Sequence, residues 1–303
     1  MRIVFFGTPD FAVASLKSLN ESPYKVVAVV TTPDKQQGRG MKVQSSPVKQ
    51  YAVENNIPVL QPDELSAPDF ISSLKSYEAD LFIIVAFRIL PAEVFLLPKL
   101  CSFNLHGSVL PKYRGAAPIQ WALINGEGET GLTTFKLAER VDTGNIIMQT
   151  MLPIDPEDNF SSLHDKMMIL GADLVLKTTQ ILESGNYTLL PQDSSQATKA
   201  PKITKEHCLL DFGRSARDLH NLVRGVSPAP GAYFNRNGKV FKVYKTMLSD
   251  RRLALGEVLE QNGEIYIGCS EGTLQILEIQ AEGRKRLHAK DFLLGASLNE
   301  NKA

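Results

Sequence analysis

The chain of 303 residues has three cysteines, no net charge and no long apolar run, and each shortage removes a class of protein. Cys101, Cys208 and Cys269 are too widely spaced for a zinc knuckle or a redox dithiol. Cys101 borders a strand of chemical interest, but free cysteine commonly packs as a small hydrophobe, and that reading is preferred to a nucleophile. No stretch approaches the ~18–20 continuous apolar residues of a membrane span. The apolar run after Met1-Arg2 is too short for a signal peptide and lacks a small-residue cleavage site, so a cytoplasmic protein with no membrane partner is expected. His164, His207, His220 and His288 are scattered and form no ligand set, so no metal is expected. There is no internal repeat and no low-complexity tail.

What is present fits a globular protein large enough for two domains with cores of their own. A net charge of zero would by itself argue against a nucleic-acid partner, but the charge is uneven. Residues 1–200 carry 17 Lys and Arg against 21 Asp and Glu, a net of −4, whereas residues 201–303 carry 16 against 12, a net of +4. A basic C-terminal part beside an acidic remainder suits a polyanionic substrate.

The first half alternates strand and helix signals. Ile3–Phe6 is an apolar run ending at Gly7, followed by a helical pattern at Phe11, Ala14, Leu16 and Leu19. Val26–Val30, Leu81–Val85 and Cys101–Leu105 are further apolar runs, as in parallel strands covered on both faces. Pro47–Asn55 reads as a helix with Ser46 at its N-cap and proline at N1. This βα series predicts an α/β fold with a Rossmann-type, mainly parallel open sheet. Ligands of such sheets sit at the carboxyl ends of the strands, where Gly7, Ala86-Phe87-Arg88 and Asn104-His106 fall. Gly7-Thr8-Pro9 lacks the second and third glycines of a dinucleotide fingerprint, so nicotinamide binding is rejected. A strand at 146–150 and a long helix at 161–183 complete an expected N-terminal domain of residues 1–186. Residues 187–204, with many Gln, Ser, Thr and Pro, read as a linker. Residues 205–303 hold a helix near 215–224 and short strands at 232–234, 240–244, 256–261, 264–268 and 273–280. Turns such as Asn235-Arg236-Asn237-Gly238 and Asn262-Gly263 between them predict a small antiparallel β-barrel domain.

The strand at 101–105 ends in Asn104-Leu105-His106, then Gly107-Ser108-Val109-Leu110-Pro111-Lys112-Tyr113-Arg114-Gly115-Ala116. Asn104 and His106 are two apart, so on extended backbone they share a face. An amide that donates to a carbonyl oxygen, beside a group that moves protons, suits acyl or formyl transfer. On spacing alone an ordinary strand-end Asn-x-His is the competing reading. A second segment, Leu137–Gly144, adds the carboxylate of Asp142 in a turn after another strand. Asp142-Thr143-Gly144 is by itself only a turn signal, and the second such motif of an aspartic protease is absent.

Together these blocks resemble the formyltransferases that use 10-formyltetrahydrofolate. The resemblance runs through Arg2–Phe11, Ser108–Ile119, Asp142-Thr143-Gly144, Lys202-Ile203 and Arg224–Ala232, essentially the whole chain. It implies a formyltransferase fold followed by an OB-like barrel, and transfer of a formyl group to the α-amine of methionine on initiator tRNA for translation initiation. In direct attack by the amine, Asn104 would donate to the developing oxyanion. His106 would stabilise that charge or pass a proton, and Asp142 would hold His106 and assist proton movement. The folate is a co-substrate; no cofactor is held permanently, and a monomer is expected.

The resemblance also implies that Phe87, Arg88, Ile89 and Leu90, with the turn Ser108, Val109, Leu110 and Pro111, grip the folate. Phe87-Arg88 stands where the family more usually has Tyr-Gly, and Val109 where it has Leu. An arginine there needs a side chain directed to solvent or to the glutamate tail; a loop arginine with no role is the alternative. Arg39, in Gly38-Arg39-Gly40, and Lys42 lie in a segment suited to RNA grooves and phosphates, although Gly-Arg-Gly alone also fits a solvated loop. The resemblance makes it the loop that contacts the acceptor stem, with Arg39 as its key residue. Lys202 and Lys205 begin a basic stretch: residues 201–250 carry 9 Lys and Arg against 4 Asp and Glu, enough to track a phosphate backbone unless it is merely a solvated face. A sugar-nucleotide formyltransferase and an RNA-binding protein on a degenerate scaffold are the rival readings. The first predicts binding of a uridine nucleotide, and the presence of Asn104, His106 and Asp142 disfavours the second.

Overall fold

The computed structural model describes residues 1–37 and 42–299. Its organising strand is β1 (Arg2–Gly7), in which every residue after Arg2 is buried, so both of its faces must be covered. The chain continues through α1 (Asp10–Asn20), β2 (Lys25–Val30), an antiparallel pair of β3 (Lys35–Gln37) and β4 (Lys42–Gln44), α2 (Pro47–Glu54), β5 (Val59–Leu60), α3 (Pro68–Ser76) and β6 (Leu81–Val85). Then come α4 (Ala92–Phe95), β7 (Cys101–His106), α5 (Pro118–Ile124), β8 (Glu129–Lys136), β9 (Ile146–Pro153) and α6 (Phe160–Ser184).

These strands form one seven-stranded sheet in the order β5-β2-β1-β6-β7-β8-β9. Pairing is parallel from β5 through β7 and antiparallel for β7–β8 and β8–β9. With β2 on one side of β1 and β6 on the other, the strand order reverses here, and the crevice at the carboxyl ends is where open α/β sheets bind ligands. One face of the sheet is closed by Val4, Phe6, Val30, Phe82 and Ile84 packing on Phe70 and Leu74 of α3 and on Val94 and Phe95 of α4. Strand β8 was not legible as an apolar run because its interior holds Thr130, Thr133 and Thr134, all buried. Their hydroxyls are tolerated because they find partners: Thr133 donates to the Ser108 carbonyl at 2.7 Å, and the Thr134 and Thr178 hydroxyls are 2.8 Å apart. Helix α2 starts as its sequence dictates, with the Ser46 Oγ accepting from the Lys49 N–H at 3.1 Å and Pro47 at the first helical position.

The C-terminal sheet follows α7 (Ala216–Val226) and comprises β10 (Ala232–Arg236), β11 (Lys239–Ser249), β12 (Val258–Gln261), β13 (Glu264–Gly268), β14 (Thr273–Ala281) and β15 (Leu287–His288), with α8 (Ala289–Leu293) last. It is antiparallel in the order β10-β11-β14-β13-β12, and β15 adds to β14. Two of its hairpins close on Asn-Gly pairs, Asn237-Gly238 and Asn262-Gly263, all four residues at positive φ, the geometry that matches the twist of two-residue hairpins. Leu219, Leu222, Val223 and Val226 of α7, spaced i, i+3, i+4, i+7, bury one stripe against Phe234, Val243 and Ile276.

Contacts divide the chain into two units that are not consecutive in sequence. One consists of Met1–Gly115, Glu129–Pro153 and His164–Ala200; the other of Ala116–Gly128, Ile154–Leu163 and the chain from Pro201. Helix α5 thus belongs to the second unit, where Ile124 joins the core of α7 and the C-terminal sheet. The irregular segment after α6 is bonded into the first unit: Leu190 and Ile146 exchange backbone hydrogen bonds of 2.8 and 2.9 Å, and Lys199 bridges to Arg114.

Candidate active site

Asn104 and His106 share one face of β7, and His106 is buried. Its Nε2 lies 2.8 Å from the main-chain oxygen of Tyr113. A carbonyl can only accept, so Nε2 carries the hydrogen and Nδ1 is the nitrogen left to exchange a proton. Nδ1 faces Oδ2 of Asp142 at 3.9 Å, too far for a hydrogen bond, and the two side chains are 8% and 12% exposed. The same Oδ2 accepts the Gly115 N–H at 2.8 Å. Asp142 adopts a left-handed φ of 55°, and a side chain on Gly144 would overlap the Lys136 carbonyl. The turn Asp-Thr-Gly is therefore required to bring its carboxylate back over β7. Among the described residues the Asn104 carboxamide has no hydrogen-bond partner.

The turn Ser108–Pro111 follows directly. Ser108 is fully buried, with its hydroxyl donating to the Lys112 carbonyl at 2.6 Å. Thr133 Oγ1 receives the Leu110 N–H at 3.1 Å, and Gln149 Nε2 donates to the Leu110 carbonyl at 2.8 Å. Side chains of β8 and β9 thus hold this main chain by hydrogen bonds at both Ser108 and Leu110. Phe87 packs edge-on against Phe6 at 5.7 Å. Arg88, Ile89 and Leu90 line a cavity of 480 Å³ together with Asp63, Glu64, Phe95 and Glu139. Arg88 does not extend to solvent. It folds over the Phe87 ring and donates from Nη2 to the Pro62 carbonyl at 2.7 Å and from Nη1 to that of Asp63 at 3.0 Å. A guanidinium finds main-chain acceptors there that a glycine would leave unused. Ile89 is 72% exposed and is the apolar surface this loop presents.

Arg39 lies outside the described residues, and Lys42 is described only as the first residue of β4. Lys202 and Lys205 are exposed in the second unit, with the Lys205 ammonium over the Tyr233 ring at 5.6 Å. Burial pushes all three thiols up, Cys269 to about 11, so none is a ready nucleophile. Among the described residues no group of three His, Cys, Asp or Glu is placed to hold a metal ion, and no helix is long and apolar enough to cross a membrane.

Three residues beside the site were not found from sequence: Thr133, Gln149 and Gln192. Thr133 sits on β8, whose buried threonines mask the apolar pattern, and Gln149 sits on the expected strand at 146–150 but reaches the Leu110 carbonyl thirty-nine residues away, a contact no local pattern marks. Gln192 Nε2 reaches the carbonyls of Asp142 and Gly144 at 2.9 and 2.8 Å across about fifty residues of chain, and no local signal marks such a contact.

A formyl transferase family model matches residues 1–179, and a model of the formyl transferase C-terminal domain matches residues 202–297. The chain is 46% identical to a methionyl-tRNA formyltransferase of Azobacteroides pseudotrichonymphae, over 97% of this chain and 95% of that protein. It is 43% identical to the enzyme of that name from Caldanaerobacter subterraneus, over 99% and 98%. Among solved structures, a sugar 3N-formyl transferase, WlaRD, crystallised with dTDP and 5-N-formyl-THF, superposes with a TM-score of 0.70 over 94% of this chain and 99% of its own, at 22% identity, a likeness of fold.

Proposed function

This chain belongs to the formyl transferase family, and from that premise we propose that it transfers the formyl group of 10-formyltetrahydrofolate to the α-amine of methionine carried on initiator tRNA. The observation that carries the acceptor is similarity to methionyl-tRNA formyltransferases over nearly the whole chain, both units included. The geometry of β7 supports the chemistry. The amine attacks the formyl carbon, a C–N bond forms, and negative charge collects on the formyl oxygen. Asn104, whose amide has no hydrogen-bond partner among the described residues, donates to that oxygen. As the bond from carbon to N10 of the folate breaks, N10 must gain the proton the amine loses. His106 carries it on Nδ1, because Nε2 is engaged by the Tyr113 carbonyl. Asp142 opposes the positive charge on the imidazole across 3.9 Å, a separation that assigns it an electrostatic role or one through water in place of direct proton acceptance.

Folate is the substrate we assign to Phe87, Arg88, Ile89 and Leu90 and to Ser108, Val109, Leu110 and Pro111. Arg88 shapes that loop through the Pro62 and Asp63 carbonyls, and Ile89 offers the exposed contact. Arg39, Lys42, Lys202 and Lys205 are assigned to tRNA phosphates and grooves, in a protein acting as a cytoplasmic monomer. The decisive measurement supplies labelled formyl-folate with either methionyl-tRNA or an amino-sugar nucleotide. Label is expected on methionyl-tRNA; transfer to the amino sugar alone would overturn the proposal.

A further inference from the structure

The segment from Leu190 to Ala200 lies between the two stretches that match family models, and it is bound to both loops that flank His106. We propose that this segment is part of the catalytic apparatus, with Gln192 as the positioning residue that sets the Asp142 carboxylate against His106. The inference rests on the reading of Asn104, His106 and Asp142 as a formyl-transfer site.

A carboxamide offers two N–H donors and one carbonyl oxygen with two lone pairs. Gln192 uses all four positions. Its Nε2 donates to the main-chain oxygens of Asp142 and Gly144, clamping from outside the turn in which Asp142 holds a left-handed φ. Its Oε1 accepts from Arg114 Nε at 3.1 Å and Nη2 at 2.6 Å. Arg114 stands between the two residues that serve the catalytic pair: Tyr113, whose carbonyl fixes the His106 ring, and Gly115, whose N–H holds Asp142.

The same segment fixes that loop through its backbone. The Tyr113 N–H donates to Thr198 Oγ1 at 2.8 Å, the Arg114 N–H to the Thr198 carbonyl at 2.9 Å, and the Ala200 N–H to the Arg114 carbonyl at 2.7 Å. Gly115, at φ 128°, approaches Ala200 so closely that a Cβ would come within 2.5 Å of its carbonyl oxygen. One strap therefore determines where the Tyr113 carbonyl and the Asp142 carboxylate stand, and with them the 3.9 Å between Nδ1 and Oδ2. A side chain that only tied down loops would affect stability; one that sets this separation affects turnover.

Full-length Gln192→Met keeps the length of the side chain and loses all four bonds. Gln192→Glu keeps the acceptor for Arg114 and replaces the one nitrogen that carries both donors with an oxygen that faces two carbonyls. Both are assayed with formyl-folate and methionyl-tRNA beside His106→Ala, with circular dichroism to establish folding. Both variants are expected to lose about tenfold or more in kcat, with KM for each substrate within about twofold of the parent, since small misplacements act on the transition state. A kcat within about twofold of the parent in a folded Gln192→Met, or a raised KM with kcat preserved, overturns the inference. If Gln192→Met is unfolded at the assay temperature, Gln192→Glu and Thr198→Val take its place, and the same kcat and KM thresholds decide. An inactive His106→Ala beside a fully active Gln192→Met overturns the inference alone, whereas normal turnover in His106→Ala overturns the reading of the site and the inference with it.

Discussion

His106 is tied at one nitrogen and available at the other, and that asymmetry makes its removal informative. His106→Ala is expected to lower kcat by about 10²–10⁴-fold, the usual worth of a positioned proton carrier, with substrate binding far less affected. Asn104→Ala should cost about 10²–10³-fold, as for a lost oxyanion donor. Single-turnover rates at saturating substrate check both, and near-parental rates would remove either residue from the chemistry. The cysteines make the opposite case. Desolvation disfavours each thiolate, so alkylation by iodoacetamide at about pH 8 should leave Cys101, Cys208 and Cys269 unlabelled in the native protein and label all three after denaturation, as read by mass spectrometry. Rapid native labelling of Cys101 would restore a nucleophilic role.

Among elements, α2 and the residues just before β3 form a polar root. The Thr31 and Ser46 hydroxyls are 2.7 Å apart, and Ser46 also caps α2. Ser46→Ala is expected to destabilise the protein by about 1 kcal/mol, measured by denaturant unfolding. Lys49 Nζ donates to Asp34 Oδ2 at 2.6 Å and to Gln61 Oε1 at 2.7 Å, while Gln61 Nε2 donates back to Asp34 Oδ1 at 2.8 Å. The Lys49 hydrogen bond first, and that of Gln61 second, hold the Asp34 carboxyl below its ordinary range. A carboxyl depressed in the folded state contributes stability above its unfolded value and loses it as pH falls through the folded one. The melting-temperature gap between the parent and Lys49→Met should thus be full at about pH 7 and shrink in acid below the ordinary carboxylate range. A gap that does not change with pH would assign the loss to packing.

At the scale of the whole molecule, the uneven charge of the chain has a measurable consequence. If a basic C-terminal part and the Arg39 segment meet tRNA phosphates, KM for methionyl-tRNA should rise roughly tenfold or more between about 50 and 200 mM salt while KM for the folate moves little. Arg39→Ala should weaken use of tRNA and spare folate binding. A salt-insensitive tRNA KM, or equal loss of both substrates, would count against this assignment.

Sequence alone determined whatever depends on neighbours along the chain. Apolar runs became β1, β2, β6 and β7 within a residue or two, Ser46-Pro47 started α2, and two Asn-Gly pairs closed hairpins, because burial, capping and positive φ are local demands. Asn104 and His106 could be placed on one face by a period of two, and the βα order put them at the carboxyl end of the sheet. Tertiary structure decided what lies far apart in sequence. It placed α5 in the core of the second unit, folded Arg88 onto carbonyls some twenty-five residues away, and gave the Nε2 of His106 to the Tyr113 carbonyl so that Nδ1 faces Asp142. It also turned a polar stretch with the composition of a linker into the strap that carries Gln192. The physical reason is the same throughout: a hydrogen-bonding group states what partner it needs, and only the folded chain determines which distant atom supplies it.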